Sequence, residues 1–147
     1  MTNDQKLAIA LLRESYGAYC YFVHKGKWID TQFHKFLADK IQTFVETETG
    51  HPYDILVLSC PPQHGKSMTV TETFPSWYIG EYPDMRCIIA CYNDDFAGKF
   101  GRRNKAKIDE YGAGIFGISL TKSSDRDMEV SRHDGSIITR GIMSGIT

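Results

Sequence analysis

The sequence predicts an α/β domain with a parallel sheet core, preceded by two N-terminal helices. Three observations carry this reading. Apolar residues recur at helical spacing through the first fifty residues, two short runs (ILVL at 55–58 and CIIAC at 87–91) are apolar throughout, and a helical pattern follows each run. A short continuous apolar run bounded by turn residues suits a strand buried on both faces. Strand, loop, helix, strand, helix in succession calls for parallel pairing with helical crossovers.

Each element follows in order. Residues 4–24 place Leu7, Leu11, Leu12, Ala18, Tyr19 and Phe22 near helical spacing, weakened at Gly17. Residues 31–48 repeat the signal with Phe33, Phe36, Leu37, Ile41, Phe44 and Val45, with Asp30 or Thr31 as cap and Gly50 as stop. The strand at 55–58 lies between Pro52 and Asp54 on one side and Pro61 and Pro62 on the other. A loop, a helix over 66–79, a second buried strand over 86–92 and a polar helix over 93–111 come next, the last opened by Asn93 and Asp94 as capping residues. Beyond Gly112, Ala113 and Gly114, extended pieces at 127–132 and 136–139 flank His133, Asp134 and Gly135, a hairpin signal. Residues 1–50 are thus a helical segment, and residues 51–147 a separate α/β unit.

Composition narrows the class. The 147 residues suit one domain that buries roughly two thirds of its unfolded surface. With 41% apolar and 24% charged residues the chain folds as a globule, and a net charge of −1 excludes a strongly basic nucleic-acid glove. Cys20, Cys60, Cys87 and Cys91 form no C-x-x-C pair and have no histidine at zinc spacing, so reduced, mostly buried thiols are expected. No segment has the apolar length of a signal peptide or a membrane span, which with the thiols predicts a cytoplasmic protein.

The chemistry concentrates at LSCPPQHGKSMT, residues 58–69. Gly65, Lys66 and Ser67 end a phosphate-binding loop of the form G-x-x-x-x-G-K-[ST], with Cys60 where the first glycine is expected. Such a loop points consecutive backbone N–H groups at an anion, at a helix start whose dipole favours negative charge. Pro62, Gln63, His64, Gly65, Lys66, Ser67 and Met68 are the candidate nucleotide-binding residues. Lys66 supplies charge to the terminal phosphates and the Ser67 hydroxyl is a ligand for Mg²⁺ beside ATP. Pro61 and Pro62 fix the chain's exit from the strand by stiffening a turn that glycine would normally loosen. The position between a buried strand and a helix is the context that the motif requires.

Three blocks together resemble the ATPase domain of the large terminase subunits that package DNA into tailed-phage heads. They are the loop (Pro61, Pro62, His64, Gly65, Lys66, Ser67), an aromatic helix (Phe74, Pro75, Trp77) and a strand ending in Ala90 and Tyr92, in the family's order. The upstream WIDTQFHKFLADKI is similar to the family's leading helix, and GSIITRGIMSGIT to the glycine-rich stretch before its second nucleotide motif. The resemblance covers about residues 28–147. It implies a P-loop NTPase fold of the RecA-like (ASCE) class and ATP-driven movement of double-stranded DNA. It also implies a terminase small subunit, a portal protein and a ring of identical subunits as partners, and Gln32 as a residue that reads the adenine edge.

Two departures qualify it. Gln63 stands where the family carries an arginine that assists phosphoryl transfer, so Gln63 is a candidate catalytic position that lacks the charge; Arg140 or a neighbouring subunit is an alternative source. The acidic strand of the second nucleotide motif and the nuclease domain are expected beyond residue 147, which makes this an incomplete ATPase domain that binds phosphate and hydrolyses ATP poorly. A helicase-like DNA translocase and a non-hydrolysing nucleotide-binding or assembly module are the alternatives. Lys99, Arg102, Arg103, Lys105 and Lys107 form the one basic cluster, read as a solvated face or a DNA or subunit contact. Asn93, Asp94 and Asp95 are read either as helix caps or as ligand-facing residues at a strand's end.

Overall fold

The computed structural model describes residues 1–144, so the last three residues of the glycine-rich block lie outside the described residues. Before the loop there are three helices, where the sequence suggested two: α1 (Asn3–Glu14), α2 (Tyr16–Val23) and α3 (Gln32–Glu46). The break falls at Ser15, whose extended backbone ends α1 while its hydroxyl accepts the Ala18 N–H and opens α2. Gln42 of α3 makes the break affordable. Its side chain accepts from Tyr16 N at 2.9 Å and donates to Glu14 O at 2.7 Å, satisfying backbone groups that a continuous helix would pair internally.

The expected helix over 66–79 is likewise divided, into α4 (Lys66–Val70) and α5 (Phe74–Glu81). Pro75 has no N–H and its ring clashes with a carbonyl four residues back, so it is tolerated only in the first turn of a new helix. β1 (Arg86–Cys91) leads to α6 (Asp94–Lys107), capped by the Asn93 side chain accepting from Phe96 N, and then to a π-helical continuation (Ile108–Phe116). β2 (Leu120–Ser123), β3 (Asp127–Val130), β4 (Ser136–Gly141) and a 3-10 turn (Ile142–Ser144) complete the described elements.

The sheet is mixed rather than parallel, in the order β1-β4-β3-β2. β1 and β4 pair in parallel from Arg86 with Ser136 to Cys91 with Gly141, joined by a crossover through α6. The predicted hairpin forms as β3 and β4, antiparallel, and β2, which the sequence reading missed, adds antiparallel to β3. Gly101 lets α6 lie directly on the turn after β2, since a Cβ there would sit 1.7 Å from Asp125 O. The core on this side consists of Ile79, Ile89, Phe100, Ile108, Ile118, Met128, Val130 and Ile137.

The strand expected at 55–58 is absent. Among the described residues this stretch makes no backbone–backbone hydrogen bond, and Ile55 and Val57 are 75% and 82% exposed. Apolarity supplies the reason to bury a segment, but only a neighbouring edge supplies ladder bonds, and the four-stranded sheet lies elsewhere. Leu58 alone turns inward, against a second core in which Tyr16, Tyr19 and Trp28 from the N-terminal layer meet Trp77 of α5. The N-terminal helices therefore pack directly on the elements that follow the loop.

Candidate functional site

Residues 60–68 line a cleft of about 430 Å³. Its shape comes from two residues of positive φ, Gln63 (φ 62°) and Gly65 (φ 74°), on either side of His64 at the mouth of α4. Left-handed backbone suits glycine at 65; at Gln63 it is an exception for a residue with a side chain. A turn of this kind before a helix can bend successive peptide groups into a concavity of N–H donors. The helix ladder begins with Thr69 N donating to Gly65 O at 3.0 Å, so the N–H groups of the residues before it have no acceptor within α4.

The sequence-predicted residues converge here. Pro62, Gln63, His64, Lys66 and Ser67 are exposed and Gly65 half-buried, whereas the Met68 side chain turns away to pack against the Tyr16 and Trp28 core. Lys66 forms no ion pair among the described residues, which leaves its charge available. The His64 Nδ1 lies 2.7 Å from Pro62 O, closing the loop on itself. Gln32 is exposed at the start of α3, next to Phe33, whose ring centroid is 6.3 Å from that of His64. The start of α3 thus abuts the loop.

What sequence reasoning missed is the support beneath. Thr69 is fully buried and acts as a junction. Its hydroxyl donates to Gly65 O at 3.0 Å and accepts from the Trp28 indole at 2.9 Å, while its carbonyl accepts from the Tyr16 hydroxyl. The available signal was chemical: a buried Trp or Tyr seeks a partner for its N–H or O–H. His34 is the other support, with Nε2 3.1 Å from His64 O.

The C-terminal end of α4 is held from α6. Arg103 pairs with Glu72, and the Lys107 ammonium donates to Glu72 O at 2.9 Å; burial pushes that ammonium down to about 8. Beside them His24 lies 2.7 Å from the Thr73 hydroxyl and is pushed down to about 4, by burial first and then by the positive charge of Lys107 and Arg103.

Other candidates fall away from the site. Arg140 Nη2 donates to both carboxylate oxygens of Asp127 at 2.9 and 3.1 Å and Nη1 donates to Thr139 O, so its guanidinium is engaged within the sheet. In the basic cluster Arg102 pairs with Asp125 and Lys105 with Asp109, which with Arg103 and Lys107 leaves Lys99, lying over the Phe96 ring. Asp94 accepts from Gly141 N and pairs with Arg126, and Asn93 is a cap, so these two serve the fold; Asp95 is exposed. Cys20 is buried, its thiol pushed up to about 12, while Cys60, Cys87 and Cys91 are only half-buried, short of the burial expected for them. Among the described residues no group of three or more His, Cys, Asp or Glu side chains is placed to hold a metal, and no helix is long and apolar enough to cross a membrane. A larger groove of about 510 Å³ between α1, α2 and α3 is mainly apolar, and its Lys35 is paired with Asp30.

The chain is a mixed α/β protein with a partly parallel sheet. Comparison with protein-family models, with curated proteins and with solved structures finds no significant match, so any family reading rests on the residues themselves.

Proposed function

We propose that this chain binds ATP with Mg²⁺ on the loop of residues 60–68, as the ATP-binding part of a terminase large subunit that drives DNA into a viral procapsid. The observation that carries the nucleotide reading is the left-handed Gly65 opening α4, with Lys66 unpaired and Ser67 exposed beside it. The terminase reading adds the order of the three sequence blocks. In this account the loop amides and Lys66 hold the phosphates, and Gln32 at the adjacent start of α3 reads the base. The Ser67 hydroxyl would hold Mg²⁺ together with phosphate oxygens, a donor set that suits a hard cation which keeps several waters. When bound, the ion neutralises charge that develops on the phosphates during transfer. Double-stranded DNA, the small subunit, the portal and a ring of copies are the proposed partners, in the cytoplasm of a bacterial host.

A second reading has its own support. Gln63 carries no charge and Arg140 is tied to Asp127, so neither brings a guanidinium to the loop within one chain. That favours nucleotide binding without turnover in the isolated chain, and a supply of charge from another subunit. Phosphate release from ATP, measured with and without double-stranded DNA, is expected to stay near the uncatalysed rate. Turnover that disappears in Lys66→Ala would contradict this and show a complete catalytic set within one chain.

A further inference from the structure

His34 lies on α3, thirty residues before the loop in sequence, yet its imidazole is built into the loop's wall. Nε2 is 3.1 Å from His64 O and Nδ1 is 2.6 Å from the Thr31 hydroxyl. A carbonyl only accepts, so Nε2 carries the proton and donates to His64 O, and the Thr31 hydroxyl donates to Nδ1. Thr31 is itself fixed, as the cap of α3 that accepts from His34 N. The ring is further held edge-on to Trp28, with centroids 5.6 Å apart, and Trp28 bonds Thr69 below the loop. Gly65 presses on the same ring: a Cβ at that position would come within 2.8 Å of His34 Nε2. The chain reverses at these residues, between left-handed Gln63 and left-handed Gly65, where backbone without sheet pairing has few other bonds to fix it.

We propose that His34 is a positioning residue that holds the phosphate loop in its anion-accepting shape, so that the N-terminal helical layer sets the loop's affinity for nucleotide. The proposal rests on the phosphate-loop reading of residues 60–68. Through one donated hydrogen bond, His34 fixes the peptide group between the two left-handed residues and keeps the N–H groups that follow it turned to one side. A loop preset in this way loses less conformational freedom when phosphate arrives, which raises affinity without any contact between His34 and the ligand. Any shift of α3 relative to α4 changes that preset, so a partner or base that moves α3 would alter phosphate affinity.

Two variants separate the bond from the packing. His34→Phe keeps a ring against Trp28 and removes both hydrogen bonds, whereas His34→Gln carries an amide N–H of similar reach. With ATP and Mg²⁺ as the probe, His34→Phe should bind roughly tenfold more weakly, the scale of one hydrogen bond lost. Its melting temperature should stay close to that of the unaltered chain, and the amides of residues 63–67 should exchange faster even without nucleotide. His34→Gln should lie within about threefold of the unaltered chain in affinity. Unchanged affinity and exchange in His34→Phe, or equal losses in both variants, would overturn the proposal. Nitrogen NMR of the unaltered chain gives a test without substitution: the Nε2–H tautomer is expected for His34, and an Nδ1–H tautomer would refute the donated bond. If the unaltered chain binds no ATP, the nucleotide reading fails, and loop exchange in His34→Phe still decides whether His34 shapes the loop.

Discussion

Residues 55–58 and β1 are nearly the same sequence feature with opposite fates. Each is a short apolar run between turn residues, and each precedes a loop and a helix. β1 lies beside β4 in a six-residue parallel register and buries Ile89. The run at 55–58 has no edge to join, and three of its four residues are exposed. The difference teaches that an apolar run specifies extended backbone and a wish for burial, while a strand also needs a partner that local sequence does not name. It also changes how the loop is held. A loop that follows a paired strand is anchored from that strand; here the anchors come from α2, α3 and the segment between them, through Tyr16, His34 and Trp28.

The comparison can be broken or sharpened by substitution, beginning with the largest effect. Ile137→Ala, in the strand beside β1, should cost about 2–5 kcal/mol because it empties a site that is 1% exposed. Val57→Ala, chemically similar, should stay within about 0.5 kcal/mol. Denaturant unfolding of the two variants measures both, and comparable losses would mean that 55–58 is as well packed as the sheet. Next, Thr69→Val keeps the shape beneath the loop but strands the Trp28 N–H, a change expected to cost about 1–3 kcal/mol. The same experiment reads it, and a neutral result would remove the support assigned to the N-terminal layer.

The last test is a pH dependence. His24 is pushed down from an ordinary 6.5 to about 4, so between these values the unfolded chain binds a proton that the folded chain refuses. Stability is therefore fully present above about 6.5 and falls as pH drops from there through about 4. The melting temperature should fall across that window, less steeply in His24→Gln. An identical slope in both proteins would place the titration elsewhere.

Much of the candidate site was legible because its chemistry is local. Gly65, Lys66 and Ser67 are adjacent, and the helix start that they mark is where the structure puts it. Local turn chemistry also gave the hairpin around Asp134 and Gly135, and the alternation of helix and strand through β1 and α6. The misses share a cause. The break at Ser15 is made good by Gln42, twenty-six residues from Tyr16, and the loop's supports reach it from residues as distant as Tyr16. The mixed sheet arises because β4 pairs in parallel with β1, far back in the sequence, as well as with its hairpin partner β3, and the edge strand β2 is a mostly exposed, polar run with no periodic signal. Bonds between segments far apart in sequence leave no local pattern to read.

The central claim is that residues 60–68 form a phosphate cradle. Titration of the chain with ATP and Mg²⁺, followed by calorimetry in parallel with Lys66→Ala, tests it most directly. The account predicts saturable binding in the unaltered chain and a loss of at least about tenfold in Lys66→Ala, the scale of a charge-assisted contact to phosphate. Equal affinity in the two proteins, or no binding by the unaltered chain, would contradict it.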